Sequence, residues 1–167
     1  GPAAKGYYST NFHGVGRNYP IVQEIIDKVY GAMKGNISFT RVGTVYYNRG
    51  VVAGIVDHEA ILTAHKKFGV KVLTGEEYRW GMEHVNITAE RIKEIGAEGL
   101  MQPVRMTCAD HEGGGMVFIQ QWDGEKWVNT GDVITPMREY VRGMIEKSAA
   151  KYAKEKGIKT RTGPELK

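Results

Sequence analysis

Residues 103–128 constrain the fold more than any other part of this 167-residue chain. Three consecutive glycines within residues 110–115 permit backbone conformations that other residues avoid, so this stretch predicts a turn. Residues 104–107 before it are extended in character, and residues 116–122 after it are rich in the β-branched and aromatic residues typical of strands. Asp123-Gly124 then predicts a tight reversal into a hairpin partner. The segment therefore predicts a strand, a turn, a second strand, a tight turn and a third strand.

Helices dominate the remainder of the chain. Apolar residues repeat at spacings of three and four, and Ser, Thr or Asn residues stand where helix caps are expected. Thr74 and Glu77 have the spacing of a capping box, Thr88 is a cap, and the longest helix begins at Thr40 or Thr44. One strand, over residues 5–10, precedes all the helices. The helices are predicted over residues 20–33, 44–67, 75–83, 89–95 and 136–156.

The sequences of two of these helices lead to predictions about their packing. Gly43, Gly50 and Gly54 lie in or beside the longest helix, where each interior glycine costs about 1 kcal/mol relative to alanine. We therefore expect the glycines to allow close packing against another element. In the last helix the apolar side chains are expected to face inward, and they are Met137, Tyr140, Val141, Met144, Ile145 and Ala149.

Composition and charge exclude several classes of protein. A hydrophobic content of 41% suffices for one domain with a core. The printed residues contain neither a run of about eighteen apolar residues nor a basic-then-apolar leader. The net charge of +4 equals the charge of residues 146–167 alone, which indicates a solvated basic helix face and tail rather than a nucleic-acid surface. Cys108 is the single cysteine, so no internal disulfide can form.

Several segments resemble type I periplasmic solute-binding proteins, the receptors of ABC importers, and in particular the branch that binds branched-chain amino acids. The segments are AAKGYYSTNF at residues 3–12, VGTVYYNRGVVAGIVDHEAI at residues 42–61 and MQPVRMTCADHEGGGMVFIQQWDG at residues 101–124. The resemblance covers residues 5–156 and rests on the order and spacing of the segments together. One strand ahead of four helices is also a poor plan for a self-contained doubly wound sheet.

The resemblance implies an α/β fold class, as part of a two-lobed type I periplasmic-binding-protein fold. Its helix-rich first part is followed by a small hairpin and a C-terminal helix. Residues 1–156 would be the C-terminal part of such a receptor, with segments of both lobes, and residues 157–167 a basic frayed tail. A non-enzymatic receptor is implied, without cofactor or metal, periplasmic or lipid-anchored outside the cell. It would deliver an amino-acid-like or carboxylate-bearing solute to an ABC permease.

The resemblance also implies which residues line the solute cleft. An apolar wall would come from Phe12 and Tyr47, and hydrogen bonds or charge from His13 and Arg49. Adjacent helical residues point about 100° apart, so at most one of the two tyrosines faces the cleft squarely. Alternatively, Phe12 belongs to the core, His13 lies in a surface loop and Arg49 pairs with a neighbouring carboxylate. The full set of expected ligand-binding residues is Asn11, Phe12, His13, Tyr46, Tyr47 and Arg49, with a hinge at Gly113, Gly114 and Gly115.

Two chemical alternatives follow from the residues themselves. Cys108, Asp110 and His111 could be a thiol nucleophile with its base and orienting acid. Three such neighbours on one turn rarely reach the required geometry, so a small buried cysteine is the favoured interpretation. A metal site could use the helical residues Asp57, His58, Glu59 and His65. Because His58 and His65 are two helical turns apart, roughly 10 Å, they are too distant to share one ion without other ligands.

A structural or interaction domain is the remaining alternative. If a first lobe is missing, the face of the longest helix that contains Val52, Ile55 and Val56 would be exposed as an apolar patch. Such a patch predicts self-association, as a symmetric homo-oligomer or through exchanged elements.

Overall fold

The computed structural model of the chain describes residues 1–160. Ile26–Tyr30 continues the first helix as a π-helical turn, and Phe39–Arg41 forms a 3₁₀ turn before the long helix. The basic tail begins at Gly157, and its residues 161–167 lie outside the described ones. The strands and helices in chain order are β1 Tyr8–Asn11, α1 Pro20–Ile25, α2 Val45–Phe68, α3 Gly75–Met82, β2 Asn86–Ile87, α4 Ala89–Glu94, β3 Val104–Arg105, β4 Val117–Trp122, β5 Trp127–Ile134 and α5 Arg138–Lys156.

The strands form two small antiparallel sheets. In the larger sheet β4 lies between β1 and β5, with Tyr8 opposite Gln121 and Trp122 opposite Trp127. The hairpin predicted at Asp123-Gly124 is therefore confirmed, and the Asp123 carboxylate accepts hydrogen bonds from the backbone amides of Glu125 and Lys126. The smaller sheet pairs β2 with β3. The sequence did not indicate β2, because two residues are too few to show a strand periodicity.

A helical core built on α2 corrects two of the expectations. Val52, Ile55 and Val56 do not form an exposed patch, because they pack in a cluster with α1, α4 and the segment before β3. Open space surrounds Gly50 and Gly54, so these glycines allow no close approach. Gly43 does allow one, because an added methyl group there would lie 2.8 Å from the Gly16 backbone. The close approach between helices occurs instead at Gly81 of α3, which lies against Ala60 and Ala64 of α2. Which element a helical glycine meets depends on the side of the helix on which it lies. The spacing of the glycines in the sequence does not show which side faces another element.

The last helix differs from the prediction in the direction of its apolar face. Met137, Tyr140 and Met144 are 73%, 74% and 64% exposed, so they do not point into a core. The helix is tied to the rest of the chain mainly at its first turns, where Arg142 donates to the Ala109 carbonyl at 2.8 Å. The spacing correctly indicated an apolar stripe, but it does not specify what covers that stripe. Within residues 1–160, no helix combines the length and apolarity needed to cross a bilayer.

Candidate ligand-binding site

The end of β1 and the first turn of α2 bring together three of the residues expected to bind ligand. The Arg49 guanidinium lies over the Phe12 ring at 4.8 Å and over the Tyr46 ring at 5.6 Å. Phe12 is 45% exposed and Tyr46 81% exposed, so both rings remain accessible. We name Phe12, Tyr46 and Arg49 the cationic–aromatic cluster. Its geometry supports recognition of a group that is partly apolar and partly anionic.

Arg49 is available for such a group. Across residues 1–160 its guanidinium has no carboxylate within ion-pair distance, and its contacts are with the two rings of the cluster. The alternative that Arg49 pairs with a carboxylate on a neighbouring element is therefore not observed in this part of the chain. A guanidinium stacked on aromatic faces keeps its outward N–H groups free to donate to a planar anion.

His13 lies under the cluster instead of in a surface loop. It is fully buried, and its ring contacts the Phe12 ring edge-on at 4.8 Å. Its Nδ1 is 3.0 Å from the Gly14 carbonyl oxygen, and because a carbonyl only accepts, Nδ1 carries the proton. Nε2 is buried and has no partner among the described residues. Desolvation lowers the pKa of His13, and nearby Arg49 lowers it further, against the opposing effect of the Gly14 hydrogen bond.

The pKa of His13 makes stability depend on pH. Because the folded pKa lies below the value of 6.5 for a free histidine, the unfolded chain binds a proton first as pH falls. The contribution of His13 to the free energy of unfolding should be fully present above pH 6.5. It should decline as the pH falls toward the folded pKa. Denaturant unfolding between neutral and mildly acidic pH measures this, and His13→Gln should flatten the decline. His58→Gln, at an exposed histidine, is the control; equal slopes for wild type and His13→Gln would contradict the assignment.

Asn48 is a site residue that the sequence reasoning missed. It is fully buried, and its Nδ2 donates to the carbonyl oxygens of Gly14 at 3.1 Å and Gly16 at 2.9 Å. It thereby holds the loop after β1 against the first turn of α2. A signal was present, because Asn48 stands three residues after Val45 and four before Val52, on the apolar stripe of α2. A polar residue on a buried stripe requires a specific partner.

Tyr47 and Asn11 lie at the margins of the cluster. Tyr47 turns toward the core and packs against it, while its neighbour Tyr46 is exposed, as the 100° rotation between them requires. Burial raises the pKa of Tyr47, and Tyr30 raises it further. Both tyrosines border an open cleft of about 380 Å³. The Asn11 side chain accepts from the backbone amide of Phe12 at 3.0 Å, so Asn11 shapes the loop.

The glycine turn before β4 is fastened to α5. Gly113 and Gly115 have φ of 69° and 66°, in the region that favours glycine. Arg138 donates to the Gly113 carbonyl and to the Asp110 carboxylate.

The hypothesis of a thiol nucleophile is not supported by the geometry, because Asp110, which would orient His111, pairs with Arg138 instead. His111 lies 3.4 Å from the Glu83 carboxylate, and Cys108 is buried.

Three of the four residues considered for a metal have another partner. Glu59 accepts from Arg91 at 2.7 Å, and Asp57 accepts from the Tyr78 hydroxyl at 2.8 Å. His65 bonds the Lys71 carbonyl at 3.0 Å. In the described part of the chain, no group of three or more His, Cys, Asp or Glu side chains could hold a metal ion.

Comparison with known proteins supplies structural relatives. No protein-family model and no curated protein sequence matches the chain. A crystal structure named as an ABC transporter permease from the Pseudomonas fluorescens group is 42% identical with a TM-score of 0.91, over 97% of this chain and 39% of that one. A branched chain amino acid ABC transporter from Thermus thermophilus with bound valine is 18% identical with a TM-score of 0.63, over 86% of this chain and 37% of that one.

The chain therefore spans well under half the length of these two proteins. Both are named as transporter components. The predicted fold class, an α/β chain forming part of a two-lobed type I periplasmic-binding-protein fold, is confirmed.

Proposed function

We propose that the chain forms part of an extracytoplasmic solute-binding receptor of an ABC importer. The proposal is carried by one observation: the exposed cationic–aromatic cluster, with its unpaired Arg49 within residues 1–160, lies in a fold shared with ABC transporter structures. The name of one of those structures states that valine is bound. In this proposal the solute is small and amino-acid-like or carboxylate-bearing, and an ABC permease receives it.

The chemistry of the cluster assigns a role to each of its members. Arg49 donates charge-assisted hydrogen bonds to the solute carboxylate. Phe12 and Tyr46 shield those bonds from water and contact the apolar part of the solute. His13 and Asn48 support the cluster from its buried side, because both donate to the Gly14 carbonyl and fix the loop that carries Phe12. His13 is therefore proposed to shape the wall instead of meeting the solute at the surface.

Closure of the receptor is proposed to involve the glycine turn. Gly113, Gly114 and Gly115 lie between β3 and β4, and two of the three have positive φ. Such residues can absorb backbone rotation at a hinge. The Arg138 contacts to Gly113 and Asp110 connect that turn to α5, so lobe movement and the position of α5 would be coupled.

The exposed face of α5 supports the proposal that residues 1–156 supply segments of both lobes. Most of the stability of a helix in a protein comes from packing of its apolar face, so the apolar stripe needs a cover. In the receptor proposed here, another lobe supplies that cover. Self-association of the chain through the same face is the second candidate function, favoured by the exposure of Met137, Tyr140 and Met144. Light scattering that shows a concentration-dependent increase in mass would support the second candidate.

Arg49→Ala tests the primary proposal in the protein as its gene encodes it. We expect calorimetric titration with valine, other amino acids and small carboxylates to identify a bound solute. Loss of a charged hydrogen-bond donor should then weaken its affinity by roughly 10- to 100-fold. Lys93→Ala is the control, because Lys93 is an exposed cation on α4, outside both the cluster and the glycine turn. Unchanged affinity in Arg49→Ala, or no binding across the panel, would refute the assignment.

A further inference from the structure

The loop between α2 and α3 exposes two valines almost completely. Val70 is 89% exposed and Val72 is 95% exposed. Leu73 beside them is only partly exposed, so the two valines protrude from the surface. Apolar side chains that protrude together are unfavourable in water and mark surfaces that contact another phase or molecule.

The loop is held in place, so the valines are presented on a rigid support. The Gly69 amide donates to the His65 carbonyl at 2.9 Å, and the His65 ring bonds the Lys71 carbonyl at 3.0 Å. The Phe68 ring packs against Trp80 with 5.4 Å between centroids. A fixed loop loses little conformational freedom on binding, which favours its use as a contact surface.

Three lysines, Lys66, Lys67 and Lys71, stand within four residues of Val70 in the sequence. Lys71 pairs with Glu77 at 2.6 Å, and Lys67 lies 4.0 Å from the Trp80 ring. Within residues 1–160 neither Lys66 nor Lys67 has a carboxylate partner. We name Lys66, Lys67, Val70 and Val72 the valine tip. The valine tip combines two exposed apolar side chains with two lysines that have no carboxylate partner within residues 1–160.

We propose that the valine tip docks on the surface of a bilayer that contains anionic lipids. The valines enter the boundary between headgroups and acyl chains, while the lysines bind headgroup phosphates. Charge complementarity selects anionic lipids over zwitterionic ones. Protruding side chains can enter a fluid surface without a shaped pocket to receive them, which favours lipid over an acidic protein. This inference is independent of the solute and of the cationic–aromatic cluster.

Vesicle co-sedimentation tests the proposal with the full chain. Binding is expected to vesicles of phosphatidylglycerol and phosphatidylcholine in equal parts, and not to phosphatidylcholine alone. Added salt should weaken it. Lys66→Gln and Lys67→Gln should each lower the partition constant roughly fivefold. Val70→Asp with Val72→Asp should lower it by at least roughly tenfold, because an apolar anchor becomes an anion.

Met33→Asp is the matched control, since Met33 is 92% exposed and lies outside the valine tip. It should leave vesicle binding unchanged. No sedimentation with anionic vesicles, equal binding to zwitterionic vesicles, or equal losses in the Met33 and valine variants would each overturn the proposal. Loss with the lysine substitutions but not with the valine substitutions would also overturn it, because the attraction would then be purely electrostatic, as for an acidic protein partner.

Discussion

Gly81→Ala should lower the free energy of unfolding by about 2 kcal/mol. A methyl group at this position would overlap the backbone carbonyl of Ala60 and lie 3.0 Å from the Ala64 side chain. Neither obstacle is a flexible side-chain end, so α2 and α3 would have to separate. The gain in helix propensity from glycine to alanine, up to about 1 kcal/mol, offsets part of that overpacking. Urea unfolding monitored by circular dichroism measures the difference.

Gly54→Ala is the matched control for this substitution. Gly54 lies in the interior of α2 with nothing within 4 Å of an added methyl group. It should therefore raise the free energy of unfolding by up to about 1 kcal/mol. The two substitutions are expected to change the free energy of unfolding in opposite directions. Their comparison therefore separates the effect of helix propensity from the effect of packing. If both variants proved equally stabilised, the close approach of α2 and α3 at Gly81 would be wrong.

Asn48→Ala should cost about 2 kcal/mol of stability, because buried hydrogen bonds to the Gly14 and Gly16 carbonyls are lost. The Gly14 oxygen still accepts from His13, but the Gly16 oxygen loses its side-chain donor. Release of the loop should also loosen the contact between Phe12 and Arg49. Denaturant unfolding measures the first effect, and proton NMR of the Phe12 ring measures the second.

Asn18→Ala provides the comparison for Asn48, because Asn18 is exposed on the same loop. A surface substitution of this kind usually changes stability by no more than about 0.5 kcal/mol. A similarly small effect at Asn48, together with an unchanged Phe12 spectrum, would show that the loop does not depend on Asn48.

Local features of the chain were predictable because each depends on residues close in sequence. The capping box from Thr74 to Glu77 is present, with the Glu77 carboxylate accepting from the Thr74 amide at 2.9 Å. Thr88 caps α4, and Gly69 ends α2. The candidate cluster was anticipated in part, because the resemblance placed Phe12, Tyr46 and Arg49 along the chain without showing their mutual contacts.

The sequence by itself determined the caps, the hairpin and the periodic stripes, since these depend on short-range backbone preferences and on spacing. The tertiary structure decided which stripes are covered, which glycine allows a close approach and which polar groups are buried. Val52 is packed and Met144 is exposed although both stand on apolar stripes. His13 and Asn48 are buried because the loop after β1 meets the first turn of α2 there. Burial depends on neighbours distant in sequence, and the spacing within one element carries no information about them.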